Sequence, residues 1–418
     1  MRRDDDGSTA SGRRPLPLTD FATPIATIDR SAMRSNIVAM AKWCLDRGLF
    51  LAPHGKTTMA PAIWDEQLDA GAWAITVATT AQLMVARRAR VPRVVIANEI
   101  IDPNGLRWLY AQLASDPEWQ VICWVDSLAA VEIMSAHYDG SSRPIDVCVE
   151  VGALDARTGA RTVETAIAVA EAARRSPALR LVGVAGYEGV ITEAADSAAL
   201  EDVRGYLRRV AQAFQLIAPL CEGDELLLSA GGSAYFDLVE EIFGPVRDAG
   251  ARPTRVVLRP GVYVVHDDDL YARIAPHARD AGPDLTPAMH VWARVLSRPQ
   301  PDLALVDMGR RDVSADVGLP LPQRALRAGR ALPAAALTDA FVFDLNDQHA
   351  FLRLPVGSTL AVGDLVRFGV SHPCTTFDKW ATILLLEGTD AADPRVVDVI
   401  RTEFSAKTVT AEGEADEI

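Results

Sequence analysis

The sequence repeats one two-part phrase, a short apolar run followed by a longer alanine- and arginine-rich stretch of helical period. Ala74-Ile75-Thr76-Val77 precedes residues 81–90, Val94-Val95-Ile96 precedes 105–113, and Val121-Ile122-Cys123-Trp124-Val125 precedes 128–137. Asp146-Val147-Cys148-Val149-Glu150 then precedes 162–175, Leu181-Val182-Gly183-Val184 precedes 199–216, and Glu225-Leu226-Leu227-Leu228 follows. A strand that hands over to a helix each time returns to the same end of its sheet, so the strands run parallel with crossover helices. About eight such units before residue 265 predict an α/β protein whose sheet closes as a TIM-like (β/α)8 barrel. After about residue 285 the runs shorten and Gly, Pro and Asp turns separate them, which predicts a mostly β C-terminal domain. The expected division is a flexible leader over 1–21, the barrel over 22–280, the β domain over 281–405 and an acidic tail over 406–418.

Composition narrows the function. A chain of 418 residues that is 49% hydrophobic buries a sizeable core. A net charge of −14 excludes nucleic acid and anionic membranes as main partners, because both demand a positive field. Five cysteines without regular spacing, Cys44, Cys123, Cys148, Cys221 and Cys374, fit a reducing compartment, and the chain is expected to be cytoplasmic. Arg2-Arg3 and Arg13-Arg14 lack the apolar stretch an export signal needs, and no window has the length of a membrane span.

Lys56, in Leu51-Ala52-Pro53-His54-Gly55-Lys56-Thr57-Thr58, is one of only four lysines in an arginine-rich chain. Where arginine serves almost every other cationic need, a lysine behind a Pro-His-Gly turn points to a reactive amine. Such an amine loses its proton when desolvated and condenses with an aldehyde, and pyridoxal 5'-phosphate (PLP) is the leading aldehyde cofactor.

Other candidates stand at strand ends, where a barrel exposes its chemistry. Ser229-Ala230-Gly231-Gly232-Ser233 reads as a phosphate cradle or as an ordinary Gly-rich turn. Arg259-Pro260-Gly261-Val262-Tyr263 could complete that cradle, with Arg259 alternatively structural. Arg157 reads as a ligand-contacting or a solvated loop arginine, and Tyr187 as a site hydroxyl or a packed aromatic with a wet tip. In the second domain Ser371-His372-Pro373-Cys374 offers an imidazole and a thiol that, in an extended turn, face one side and suit a divalent metal, zinc above all, with manganese or magnesium as harder alternatives. Asn346-Asp347-Gln348-His349 adds an imidazole as third ligand, acid/base group or surface histidine. Arg310-Arg311 reads as a surface pair more readily than as a subsite for a second carboxylate.

Pro53-His54-Gly55-Lys56-Thr57, Tyr187-x-Gly189, Ser229-x-Gly231-Gly232-Ser233, Arg259-Pro260-Gly261-x-Tyr263, Asp347-Gln348-His349 and His372-Pro373-Cys374 occur in this order. Together with Pro24-Ile25-Ala26-Thr27-Ile28-Asp29 and Asn36 as the barrel entry, they resemble the fold-type III PLP enzymes, the alanine racemase class, in the branch of D-serine dehydratases and D-threonine aldolases. Thr375-Thr376-Phe377-Asp378-Lys379-Trp380 is similar to bacterial members called amino acid deaminases. The resemblance implies that Lys56 holds PLP as a Schiff base and removes the Cα proton of a D-amino acid. It implies that Arg157 contacts the phenolic oxygen side of the cofactor and Tyr187 its pyridine nitrogen. Ser229, Gly231, Gly232, Ser233, Gly261 and Tyr263 then hold the phosphate, His372 and Cys374 bind the metal, and His349 is a catalytic acid/base candidate. It further implies a head-to-tail homodimer. The loop between Gly152 and Arg157 is longer than the Gly-x-x-Arg spacing of the racemases, and no segment matches the second base that a racemase needs.

Two reactions of D-3-hydroxy amino acids then compete. Dehydration, for example of D-serine, gives a 2-oxo acid and ammonia; retro-aldol cleavage gives glycine and an aldehyde. The soft Cys374 and a Val190-Ile191-Thr192-Glu193 without histidine resemble the dehydratases of this branch more than its aldolases, and the resemblance therefore favours dehydration. A racemase and a non-catalytic PLP carrier are the remaining alternatives, and the β domain argues against the carrier.

Overall fold

The computed structural model describes residues 14–390 and 394–405; the expected acidic tail and most of the expected leader fall outside the described residues. Eight parallel strands follow one another in the order Phe50–Leu51, Thr254–Leu258, Leu226–Ala230, Leu179–Gly186, Ile145–Val151, Gln120–Val125, Arg93–Glu99 and Ile75–Val77. The two ends of this order meet. The Trp73 N–H donates to Leu51 O at 2.7 Å, the Thr76 N–H donates to Pro53 O at 2.8 Å, and His54 bridges Thr76 in parallel. Apolar side chains fill the interior, among them Ala52, Val95, Ile122, Trp124, Cys148, Ala185 and Val257. Five of the helices that follow these strands start at a polar side chain that caps them. Thr79, Asp102, Ser127, Thr162 and Asp196 each accept an N–H from the first turn of the helix they precede. The strand-to-helix handovers expected from the sequence are therefore present.

The second sheet has eleven strands, ordered Leu16–Pro17, Arg395–Arg401, Thr382–Glu387, Ile25–Asp29, Met289–Gln300, Leu303–Val306, Ala350–Arg353 and Phe341–Leu345. Leu365–Gly369 pairs with Met289–Gln300 on one side and Leu321–Arg327 on the other. Two expectations change here. Ile25–Asp29, expected at the barrel entry, lies antiparallel to Met289–Gln300 and parallel to Thr382–Glu387. Its first four residues are buried, as a central strand covered on both faces requires. Part of the expected leader is also built in: Leu16 and Pro17 pair with Val396 and Arg395, and the Leu18 N–H donates to Pro394 O at 3.0 Å. Among the described residues, the β unit comprises 14–36, Val264–Leu270, 285–390 and 394–402, while Ile37–Tyr263 and Tyr271–Asp284 form the barrel unit. In sequence, the barrel segment Ile37–Tyr263 lies between segments of the β unit.

Candidate active site

Lys56 lies half-buried in one 3-10 turn, Gly55–Thr57, just beyond the strand Phe50–Leu51. Backbone packing fixes that turn. The His54 N–H donates to Pro260 O at 3.0 Å and the Ala52 N–H to Leu258 O at 2.8 Å. A Cβ on Gly55 would come within 2.8 Å of the Trp64 indole and 2.9 Å of Ile75. One on Gly261 would lie 2.9 Å from His54 O and closer still to the Thr57 hydroxyl. The glycines let two loops touch, and so fix the main chain from which Lys56 extends.

His54 is the neighbour of most chemical interest. Its Nδ1 is buried without a hydrogen-bond partner. Burial, followed by the nearby charges of Lys56 and Arg259, holds the imidazole well below its ordinary pKa, so the ring is neutral. A buried, unsatisfied nitrogen beside an amine fits a site built around a polar ligand.

At the next strand ends, the Arg157 guanidinium sits 4.4 Å over the Tyr187 ring. Tyr187 follows Leu179–Gly186, and its N–H donates to the Tyr206 hydroxyl at 2.9 Å, which in turn donates to Val151 O at 2.6 Å. A Cβ on Gly189 or Gly232 would fall 2.5 or 2.7 Å from the Tyr187 ring. The ring is therefore held between two glycines, and the structure brings Arg157 and Tyr187 together.

The expected phosphate cradle is rearranged. The Gly231 and Gly232 amides both donate to the carboxylate of Glu188, at 2.9 and 2.6 Å, and Glu188 is fully buried. Ser229 points into the barrel, where its hydroxyl donates to Val257 O at 2.9 Å and receives the Arg259 guanidinium. Arg259 also donates to Gly186 O at 2.7 Å and lies 5.3 Å from the centre of the Trp124 ring. The Tyr263 hydroxyl is buried against Gln67 at 2.9 Å, and burial pushes its pKa up. Glu188 thus takes the two amides, and Ser229 and Tyr263 serve the core. Ser233 and Gly261 remain at the mouth, where the Val262 N–H donates to Ser233 Oγ at 3.2 Å.

Sequence reasoning also missed two acids. Glu99 ends the strand Arg93–Glu99, Glu150 lies in Ile145–Val151, and each has a buried carboxylate oxygen without a partner. Burial, then the charges of Glu150 and Asp126, push Glu99 up to about 8. Neither residue carries a motif that would single it out.

In the β unit, His372 and Cys374 flank Pro373, and a single helical turn, Cys374–Phe377, begins at the thiol. The turn is helical, not extended as expected, because Pro373 is itself in the αR region. His372 Nδ1 pairs with Asp316 at 2.8 Å, and the Ser314 and Thr375 hydroxyls also bond that carboxylate. Burial alone would lower the His372 pKa, but Cys374 and Asp316 carry it up to about 9. Beside these residues opens a cleft of ≈ 530 Å³ lined by Arg310, Ser314, Asp316, Phe343, Thr375 and Lys379. An imidazole oriented through Nδ1 and an adjacent thiol fit two protein ligands of a divalent ion; among the described residues no group of three or more such side chains is placed to hold a metal. His349 is exposed in the turn between Phe341–Leu345 and Ala350–Arg353. Arg311 pairs with Asp347 at 3.0 Å in solvent, while Arg310 lines the cleft.

The chain is similar to known proteins over most of its length. The model of the alanine racemase N-terminal domain matches residues 28–241, and that of a putative serine dehydratase domain matches residues 288–386. The chain is 26% identical over 365 residues to a D-threonine aldolase of an Arthrobacter species, covering 87% of this chain and 88% of the other. Two solved structures share the fold. D-threonine aldolase from Filomicrobium marinum superposes with a TM-score of 0.77 at 24% identity, over 93% of this chain and 97% of that one. D-threo-3-hydroxyaspartate dehydratase from Delftia sp. HT23 superposes with a TM-score of 0.71 at 22% identity, over 93% and 99%. With half of its length matched by the first of these models, the chain belongs to the alanine racemase N-terminal domain family, the barrel of the fold-type III PLP enzymes.

Proposed function

We propose that the protein is a PLP- and metal-dependent lyase that dehydrates a D-3-hydroxy amino acid to a 2-oxo acid and ammonia. The observation that carries this reading is the His372–Cys374 pair, with His372 oriented by Asp316, in a chain whose barrel carries Lys56 in a glycine-packed turn. Lys56 would hold the cofactor, with Arg157, Tyr187, Ser233, Gly261 and the orphaned His54 nitrogen as its surroundings. When bound, PLP supplies an electron sink for charge developing at the substrate Cα. Lys56 Nζ is the group that takes the proton from Cα; its half-buried turn keeps the amine on one face of the site. His372 and Cys374 would hold the metal, which supplies Lewis-acid polarisation of a β-hydroxyl that otherwise leaves poorly.

Substrates bearing a second carboxylate belong to this class, and Arg310 and Lys379 in the β-unit cleft are the cations that would meet one. Retro-aldol cleavage is the second reading, favoured by the 26% identity to a D-threonine aldolase. Four buried cysteines and a half-buried Cys374, none of them in a disulfide, support work in the reducing cytoplasm. Among the described residues no helix is long and apolar enough to cross a membrane. A head-to-tail homodimer is part of the same proposal, and light scattering on the purified protein tests it.

The deciding experiment incubates the PLP-loaded protein with D-serine, D-threonine and D-threo-3-hydroxyaspartate, with and without a chelator. Chelator-sensitive 2-oxo acid without glycine supports the dehydratase. Glycine with an aldehyde establishes the aldolase instead.

A further inference from the structure

The loop that carries Arg157 leaves the strand Ile145–Val151 and returns to its end nine residues later. The Gly152 N–H donates to Ala160 O at 3.0 Å, the Ala160 N–H donates to Glu150 O at 2.8 Å, and Val151 bridges Ala160. Two glycines permit this closure. A Cβ on Gly159, whose φ is +106°, would lie 2.6 Å from the Gly152 Cα; one on Gly152 would lie 2.5 Å from Thr158 O. Asp126, from the next strand end, accepts the Gly159 N–H at 3.0 Å.

The carbonyls inside the loop converge on one side chain. Arg161 Nη1 donates to Thr158 O at 3.0 Å and Gly159 O at 2.8 Å; Nη2 donates to Ala156 O at 2.9 Å and to Arg157 O. A guanidinium reaches four carbonyls because its donors form a rigid planar fork, which an ammonium lacks. One of the four belongs to Arg157, whose own guanidinium stacks over Tyr187.

We propose that Arg161 is a positioning residue, caging the carbonyls of loop 152–160 so that Arg157 is presented on Tyr187. This rests on the reading that Arg157 and Tyr187 face the cofactor. It explains how a loop longer than the racemase spacing still delivers its arginine: the added residues are folded onto the guanidinium of Arg161, and the loop does not stay an open flap. Arg161 touches neither substrate nor cofactor and acts through Arg157.

The test uses the PLP-loaded full chain and the variants Arg161→Ala, Arg161→Lys, Arg157→Ala and the double Arg157→Ala/Arg161→Ala. Two properties are read, the position and pH dependence of the cofactor absorbance without substrate, and the rate of trypsin cleavage after Arg157. Arg161→Ala is expected to speed that cleavage by about tenfold or more, the factor for one net hydrogen bond, and Arg161→Lys to behave like the alanine variant. It is also expected to shift the absorbance in the direction that Arg157→Ala does, and the double variant to go no further than Arg157→Ala alone. An unchanged trypsin rate in Arg161→Ala overturns the cage. Fully additive spectral effects overturn the route through Arg157. If Arg157→Ala leaves the absorbance untouched, the cofactor-facing reading of Arg157 fails, and the positioning role with it, while the proteolysis still decides whether the cage exists.

Discussion

Replacing Gly261 by alanine tests how tightly the Lys56 turn is set. No unusual backbone angle is involved at Gly261, so the substitution acts through space alone. The new methyl would lie 2.9 Å from His54 O and 3.1 Å from His54 Cβ. The Thr57 hydroxyl, closer still, can rotate away, but the His54 carbonyl cannot, since it is main chain in a turn tied to Pro260. The turn must retreat by about half an ångström to restore ordinary contact, and overpacking of this kind costs about 1–3 kcal/mol. An error of 1 Å at a reacting group costs about a hundredfold in rate, so half of that should lower turnover by roughly tenfold. Urea unfolding followed by circular dichroism measures the first quantity, and PLP titration with steady-state turnover the second. Gly205→Ala is the matched control, since its Cβ meets nothing within 4 Å inside the helix Ser197–Ile217; it should stabilise the chain by about 1 kcal/mol. A Gly261→Ala protein with wild-type midpoint, PLP affinity and turnover would refute the claim that backbone packing fixes the turn that carries Lys56.

Three further outcomes are expected. Lys56→Ala should lose the bound-cofactor absorbance and turnover together, whereas Cys374→Ala should keep the absorbance and lose most turnover; a fully active Cys374→Ala would end the metal-assisted reading. Because Glu99 is raised from 4.5 to about 8, the folded chain holds a proton that the unfolded chain releases, and this contribution is full below about pH 4.5 and lost by about pH 8. Glu99→Gln should therefore match wild type near pH 4.5 and exceed it by a few kcal/mol at pH 8, and melting curves across that range that run parallel would contradict it. His290, 4% exposed and lowered to about 3 mainly by burial, stabilises the fold above pH 6.5 and loses that contribution as pH falls towards 3; acid unfolding of His290→Gln should be less steep than that of wild type.

The barrel was legible because its strand–helix rhythm is local, and Lys56 because one of only four lysines stands out among many arginines. What stayed hidden depends on partners far away in sequence. Ile25–Asp29 reads the same whichever sheet receives it, and its neighbours begin at Met289 and Thr382. The Gly231 and Gly232 amides looked free for a phosphate until folding brought Glu188 beneath them from 43 and 44 residues away. Strand parity decides which face a side chain takes, and Ser229 faces inward to Arg259. Asp316 could not be attached to His372 from a separation of 56 residues. Residue type revealed the chemistry, and topology decided which groups were available for it.

The placement of Ile25–Asp29 also constrains how the protein is made. During synthesis this strand emerges early, yet both of its hydrogen-bonding edges await segments that begin about 260 and 350 residues later. At about 5–20 residues per second the ribosome needs tens of seconds to supply them. Throughout that interval an apolar strand with two open edges is available to neighbouring nascent chains. The barrel strands, complete by Leu258, can meanwhile close among themselves. The yield of soluble protein is then governed by how long the first strand is kept from strangers, a matter of elongation rate and chaperone supply more than of barrel stability.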